Sequence, residues 1–200
     1  MKGKFNQISL EMLVKLGKNP SENYDYDYDQ IVSYGELFSS FIVSEYLNKC
    51  GIKTKLIDIR KNLRTDSTYR DAVVDWKVSQ ELIKGAFDFN DTNIYLTQGF
   101  IGSTSEKKTT TLGLEGSDFT AAILSFMLDA EKMVVWKDVD GVYSSDPNEF
   151  QNVTKLDAIS YREAVELAYY GAKIIHPKTI KPLQNKNIPL YVKSFINPLF

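Results

Sequence analysis

Short runs rich in apolar and β-branched residues alternate with longer segments of helical periodicity, and that alternation restricts the fold more than any other feature of the chain. Strands are expected over residues 53–60, 93–101, 132–139 and 188–192. Between the first of these and the N-terminal region, Tyr34, Phe38, Phe41 and Ile42 recur at three- and four-residue steps, and Gly51 supplies a stop. Further helices are expected over 75–86, starting near Asp75, over 117–130, and from the capping box Ser160-Tyr161-Arg162-Glu163 toward Gly171. Strands and helices in this order call for an α/β fold, a three-layer α-β-α sandwich around a mostly parallel sheet with both faces covered.

The first 29 residues fit that scheme poorly. Leu10, Leu13, Val14 and Leu16 suggest a short helix ending near Gly17 and Pro20. The tract Tyr24-Asp25-Tyr26-Asp27-Tyr28-Asp29 alternates aromatic and acidic residues, but it lacks the spaced ligands and central glycine of an EF-hand. It reads as a surface loop. The expected organisation is therefore an unassigned segment, 1–29, followed by one domain over 30–200.

Composition excludes several classes of function. A net charge of −2 offers no electrostatic footprint for nucleic acid or an anionic membrane, and no apolar run is long enough to span a bilayer. The opening residues, Met1 to Asn6, lack the apolar core of a secretory leader. The single cysteine, Cys50, has no partner for an internal disulfide and is expected as a buried thiol near a helix end. The single histidine, His176, rules out a His-cluster metal site; beside Pro177 at a helix break, it reads as structural. These features suit a reduced, cytoplasmic protein.

Chemistry is concentrated in three segments. In Thr109-Thr110-Thr111-Leu112-Gly113-Leu114-Glu115-Gly116-Ser117-Asp118, the glycines allow close backbone approach, and Ser117 and Asp118 open a helix whose amides attract anions. A plain helix cap explains the pattern equally well. In Trp136-Lys137-Asp138-Val139-Asp140-Gly141-Val142-Tyr143-Ser144-Ser145-Asp146-Pro147, a strand delivers Lys137 and Asp138 at its end; the aspartates can cap turns or meet a magnesium ion. In Tyr170-Gly171-Ala172-Lys173-Ile174-Ile175-His176-Pro177, the lysine can neutralise phosphate or merely snorkel from a helix end.

Taken together, these segments resemble the aspartokinase family of the amino acid kinase superfamily, in which T-T-T-L-G-R-G-G-S-D, W-(K/T)-D-V-x-G-V-Y-x-x-D-P and F-G-A-K-(V/I)-(L/I)-H-P follow in the same order. Ser33-Tyr34-Gly35-Glu36-Leu37 looks like the family's S-x-G-E-L helix start, and Gln98-Gly99-Phe100-Ile101-Gly102 like its glycine-bearing strand end. The resemblance implies transfer of the γ-phosphoryl of ATP to the side-chain carboxylate of L-aspartate, with Mg2+ carried by the nucleotide. It implies that Lys173 stabilises charge on the transferring group and that Asp118 orients the basic groups around it and helps hold the substrate amine. It assigns Glu36, Gly116 and Ser117 to the substrate, and Lys137, Asp138, Tyr143 and Asp146, with Lys173, to the nucleotide. It also implies a homodimer.

Two departures weaken the expected activity. Leu114 stands where the family has the arginine of G-R-G-G-S-D, which grips a substrate carboxylate; Glu115 replaces a glycine. Loss of one charge-assisted contact costs about 1.5–3 kcal/mol. The family's opening K-F-G-G-T-S strand and loop have no counterpart, so a sheet lacking its first strand or two is expected, as is an end before the regulatory ACT-type domains. The chain is expected to be feebly active or inactive. A nucleotide-binding module without catalysis, and a sister kinase acting on glutamate, acetylglutamate or a nucleoside monophosphate, remain as alternatives.

Overall fold

The computed structural model describes residues 2–90, 92–139, 141–144, 150–169 and 175–196. In chain order these form α1 (Lys2–Leu16), α2 (Tyr24–Lys49), β1 (Lys55–Ile57), a 3-10 turn (Ile59–Lys61), α3 (Trp76–Ala86), β2 (Tyr95–Thr97), β3 (Ile101–Ser103), β4 (Thr109–Thr111), α4 (Gly116–Met127), β5 (Met133–Lys137), β6 (Val142–Tyr143), β7 (Lys155–Leu156), α5 (Tyr161–Tyr169), α6 (Pro177–Lys186) and β8 (Leu190–Ser194). The chain divides within α4 into two compact units, 1–120 and 121–200.

In the first unit β1 and β2 pair in parallel, with Leu56 opposite Leu96, while β3 and β4 form an antiparallel hairpin with Gly102 opposite Thr110. The strand expected over 93–101 is thus broken in two. Phe100 adopts a left-handed backbone, φ 70°, which ends one ladder and redirects the chain into the next. Helix α2 lies against β1, β2 and β4, burying Tyr34, Leu37 and Phe41. Helix α1 reaches α2 through Phe5 and Phe38, whose ring centroids are 5.2 Å apart.

The Tyr–Asp tract is not a loop but the first turns of α2. The Asn23 side chain accepts from the Tyr26 amide at 3.0 Å, and Asp25 and Asp27 occupy the first turn, where the helix dipole favours negative charge. A period of 3.6 then sorts the alternation differently from a strand. Tyr24 and Tyr28 share a face, while Asp29 goes fully inside at 0% exposure. The boundary expected at residue 30 falls within this helix. Ser33-Tyr34-Gly35-Glu36-Leu37 lies in mid-helix rather than at a helix start. Cys50 caps the C-terminus of α2 and is exposed, not buried, because the chain turns outward at Gly51, φ 82°.

In the second unit β5 and β8 pair in parallel from Met133↔Leu190 to Lys137↔Ser194. Met133, Val135, Ile175, Ile180, Leu183 and Ile188 form its core. The capping box is present: the Ser160 amide donates to Glu163 at 2.7 Å and the Glu163 amide to Ser160 Oγ at 3.2 Å. The break at His176-Pro177 is the start of α6, with proline at the position where its missing N–H costs nothing. His176 caps α6, its Nδ1 accepting from the Lys178 amide at 3.2 Å. Lys186 closes the C-terminus of α4, donating to the Phe126 carbonyl at 2.6 Å and pairing with Asp129.

No helix among the described residues is long and apolar enough to cross a membrane. Helix α3 depends on its cap, since Asp75 Oδ1 accepts from the Val78 amide at 3.0 Å. Asp75→Ala is expected to lower the melting temperature by about 2–4 °C, the equivalent of about 1 kcal/mol, and Asp75→Asn by far less, in thermal unfolding followed by circular dichroism.

Candidate active site

In the first unit, β1 and β2 end at Ile57 and Thr97. Ligands of α/β sheets bind at such C-terminal strand ends. Gln98, which follows β2, ties the region together: its Oε1 accepts from the Ile59 amide at 3.0 Å, and its Nε2 donates to Ser40 Oγ at 2.7 Å. Ser40 in turn donates to the main-chain carbonyl of Glu36 at 2.7 Å. On the far side of Gln98, Gly99 touches the first turn of α4 so closely that an added Cβ would lie 2.8 Å from Ser117 Cβ. Gly99 and Ser117 therefore adjoin, and the helix that bears Glu36 is tied to this strand end through Ser40 and Gln98.

Helix α4 opens with Gly116-Ser117-Asp118. Helix geometry leaves the first-turn amides without intrahelical acceptors. The Gly116 amide bonds the Gly113 carbonyl at 3.1 Å, and Ser117 is exposed just beyond it. The two glycines of this loop answer to packing: Gly113 has φ 78° and sits against Asp71, whereas a Cβ on Gly116 would meet the Phe100 ring at 2.7 Å. Leu114, in place of the family arginine, is 77% exposed and offers no donor.

Charge at the site is uneven. Burial pushes the Glu36 carboxyl above the ordinary glutamate range, and no hydrogen bond or ion pair of its carboxylate is present among the described residues. Asp58, directly after β1, behaves oppositely. Burial disfavours its charge, but Arg60 donates Nε to Oδ1 at 2.9 Å and Nη2 to Oδ2 at 2.7 Å, and holds it below the usual aspartate range. Asp29, buried at the N-terminal end of α2, is pushed up by burial despite bonds from Arg70 and Thr111. The sequence reading singled out neither Asp29 nor the Asp58–Arg60 pair, because a lone acid in a polar tract and a charge two residues from another carry no spacing signature.

The second unit carries Lys137 and Asp138 at the C-terminal end of β5 and Tyr143 in β6, with Asp138 exposed and the other two partly buried. Asp146 and Lys173 lie outside the described residues.

The amino acid kinase family matches residues 5–194, and the chain belongs to that family. Within it the similarity is to aspartokinases. The chain is 41% identical over 168 residues to the bifunctional aspartokinase/homoserine dehydrogenase of Buchnera aphidicola, covering 84% of this chain and 20% of that protein. It is 37% identical over 171 residues to the lysine-sensitive aspartokinase 3 of Escherichia coli, covering 85% and 38%. The crystal structure of E. coli aspartokinase III in complex with aspartate and ADP superimposes with a TM-score of 0.90 at 33% identity, covering 99% of this chain and 44% of that one. The fold is accordingly the α/β fold of these kinases. The chain spans well under half the length of each of these relatives.

Glu36 allows a test of sign. Its folded pKa lies above the unfolded one, so the fold favours the protonated form; that advantage is present at acid pH and lost as pH rises. Glu36→Gln, which removes the charge, is expected to raise the melting temperature by about 1–2 °C near neutral pH, with the gap closing toward about pH 4. Differential scanning calorimetry across that range checks it.

Proposed function

We propose that this chain carries the phosphoryl-transfer machinery of an aspartokinase, moving the γ-phosphoryl of ATP to the side-chain carboxylate of L-aspartate. One observation carries the reading: the half-buried Glu36 carboxylate has no partner among the described residues, and its helix is tied through Ser40 and Gln98 to the strand end that meets the first turn of α4 at Ser117. A free amino acid presents both complements, an ammonium for Glu36 and a carboxylate for the exposed Ser117 at the start of α4, with Gly116 keeping the approach open. The E. coli aspartokinase III structure, with its aspartate and ADP, supports the same pair of ligands here.

The substrate carboxylate is ionised at neutral pH, so no residue need act as a base toward it. Catalysis is then alignment and neutralisation of charge. Asp118 orients the groups around the transferring phosphoryl. Lys137, Asp138, Tyr143 and Asp146 hold the nucleotide, and Lys173 meets the charge developing on its terminal phosphoryl. Mg2+ travels with the nucleotide; among the described residues no trio of His, Cys, Asp or Glu is placed to hold an ion. The same reading includes one kinase-like domain that precedes ACT-type domains in the family, a cytoplasmic location, and a homodimer, which light scattering of the purified chain tests.

Leu114 favours a second reading for the acceptor, because an exposed leucine gives a substrate carboxylate nothing to bind. A kinase with a changed acceptor, or a nucleotide-binding module without turnover, would follow. Trapping aspartyl phosphate as its hydroxamate distinguishes them. Weak aspartate-dependent product is expected from the chain itself. Leu114→Arg is expected to raise kcat/KM for aspartate by about tenfold to a few hundredfold, leaving the ATP KM within about twofold. Nucleotide binding with no aspartate response in either protein would defeat the aspartate assignment.

A further inference from the structure

We propose that Asp29 is a positioning residue for acceptor binding, fixing the helix that bears Glu36 to β4, the strand that leads into α4; the proposal rests on the reading of Glu36 as the acceptor's carboxylate partner. Seven residues separate the two, about two turns and about 10.5 Å of helix rise, so both project from one side of α2. Ser33, between them, is fully buried, and Ser40, one turn beyond Glu36, faces Gln98. Beside the apolar Tyr34, Leu37 and Phe41, the inner face of α2 therefore carries a polar stripe with an anchor at each end.

The anchor at Asp29 grips two segments at once. Oδ2 accepts from the Arg70 amide at 3.0 Å and from the Thr111 amide at 2.8 Å, and Oδ1 accepts from Thr111 Oγ1 at 2.8 Å. Thr111 ends β4, the strand that leads into the Leu112–Gly116 loop and α4. Arg70 begins the turn whose carbonyl and neighbour Asp71 enclose Gly113, at 3.1 and 2.7 Å from where its Cβ would stand. The tyrosines of the tract complete the grip: Tyr26 packs edge-on to Tyr69, centroids 5.1 Å apart, and the Arg70 guanidinium lies 4.8 Å from the Tyr28 ring and 3.3 Å from Asp25. Both chain segments that border the acceptor loop are thus referred to one carboxylate on the helix that bears Glu36.

The other anchor, Ser40, bonds the Glu36 carbonyl and Gln98. With both ends held, Glu36 can neither slide along the axis of α2 nor roll about it without breaking buried hydrogen bonds. A purely architectural acid would support the fold without biasing one ligand over another, and the two roles separate in solution.

The test uses the full chain and titration calorimetry with L-aspartate and, separately, with ADP. Asp29→Asn keeps the volume but presents an amine to at least one of the donors. It is expected to weaken aspartate binding about tenfold to a hundredfold, with ADP affinity within about twofold. Asp75→Ala, which lowers stability away from this face, serves as the control and is expected to leave aspartate affinity unchanged. Should Asp29→Asn not fold, Thr111→Val removes one donor alone and is expected to weaken aspartate binding about threefold to tenfold, while Thr111→Ser restores it. Equal losses for aspartate and ADP, or unchanged aspartate affinity, overturn the proposal. If the parent chain binds no aspartate, the acceptor reading falls, and amide hydrogen exchange then decides the anchor. Faster exchange over 111–118 in Asp29→Asn supports it, and unchanged exchange removes it.

Discussion

The carboxylate of Asp29 is the interaction on which the first unit depends. An acid wholly removed from water is tolerated only where donors replace its hydration, and here these come from Arg70 and Thr111, far along the chain from α2. Any shift of β4 against the helix by one residue would exchange an amide donor for a carbonyl and leave a buried charge uncovered. Apolar packing alone would accept such a slip at modest cost. The pairing of helix and strand is therefore specified by electrostatics, while Tyr34, Leu37 and Phe41 supply the bulk of the burial.

Two turns later burial again raises a carboxyl, but the donors are missing. Glu36 is partly withdrawn from water without receiving donors in return, and it is less comfortable charged than an ordinary glutamate. One helix thus satisfies one acid and leaves another unsatisfied. Stability argues against the second arrangement, and ligand binding gives a reason for it, since an incoming ammonium supplies what the fold withholds. Asp58, already matched by Arg60, has no such capacity left.

Much of this was legible from residue order, for reasons that differ by element. Helices α3, α4 and α5 announce themselves through Asp75, the Gly116-Ser117-Asp118 opening and the Ser160–Glu163 box, all local signals. The start of α2 was hidden because tyrosine and aspartate alternate with the period of a strand, whereas the informative residue, Asn23, precedes the tract. β4 carries no strand signal because three threonines offer no hydrophobic contrast, yet all three are buried. The division of the 93–101 run rests on the backbone of Phe100, which no propensity encodes. In the site, Ser117 and Asp118 were visible as a cap following glycine, and Glu36 only through its family segment. The coupling of Asp29 to Thr111 spans 82 positions and is visible only once the chain is folded.

The contact of Gly99 with Ser117 has a consequence for comparing relatives of this chain. With Ser117 Cβ 2.8 Å from the point where a side chain would begin, no other amino acid fits at position 99 unless α4 moves. Selection on shape alone would keep that glycine in a descendant that had abandoned phosphoryl transfer entirely. Retention of the residue across a lineage is thus a record of how the helix is seated, and says nothing about whether the enzyme still turns over.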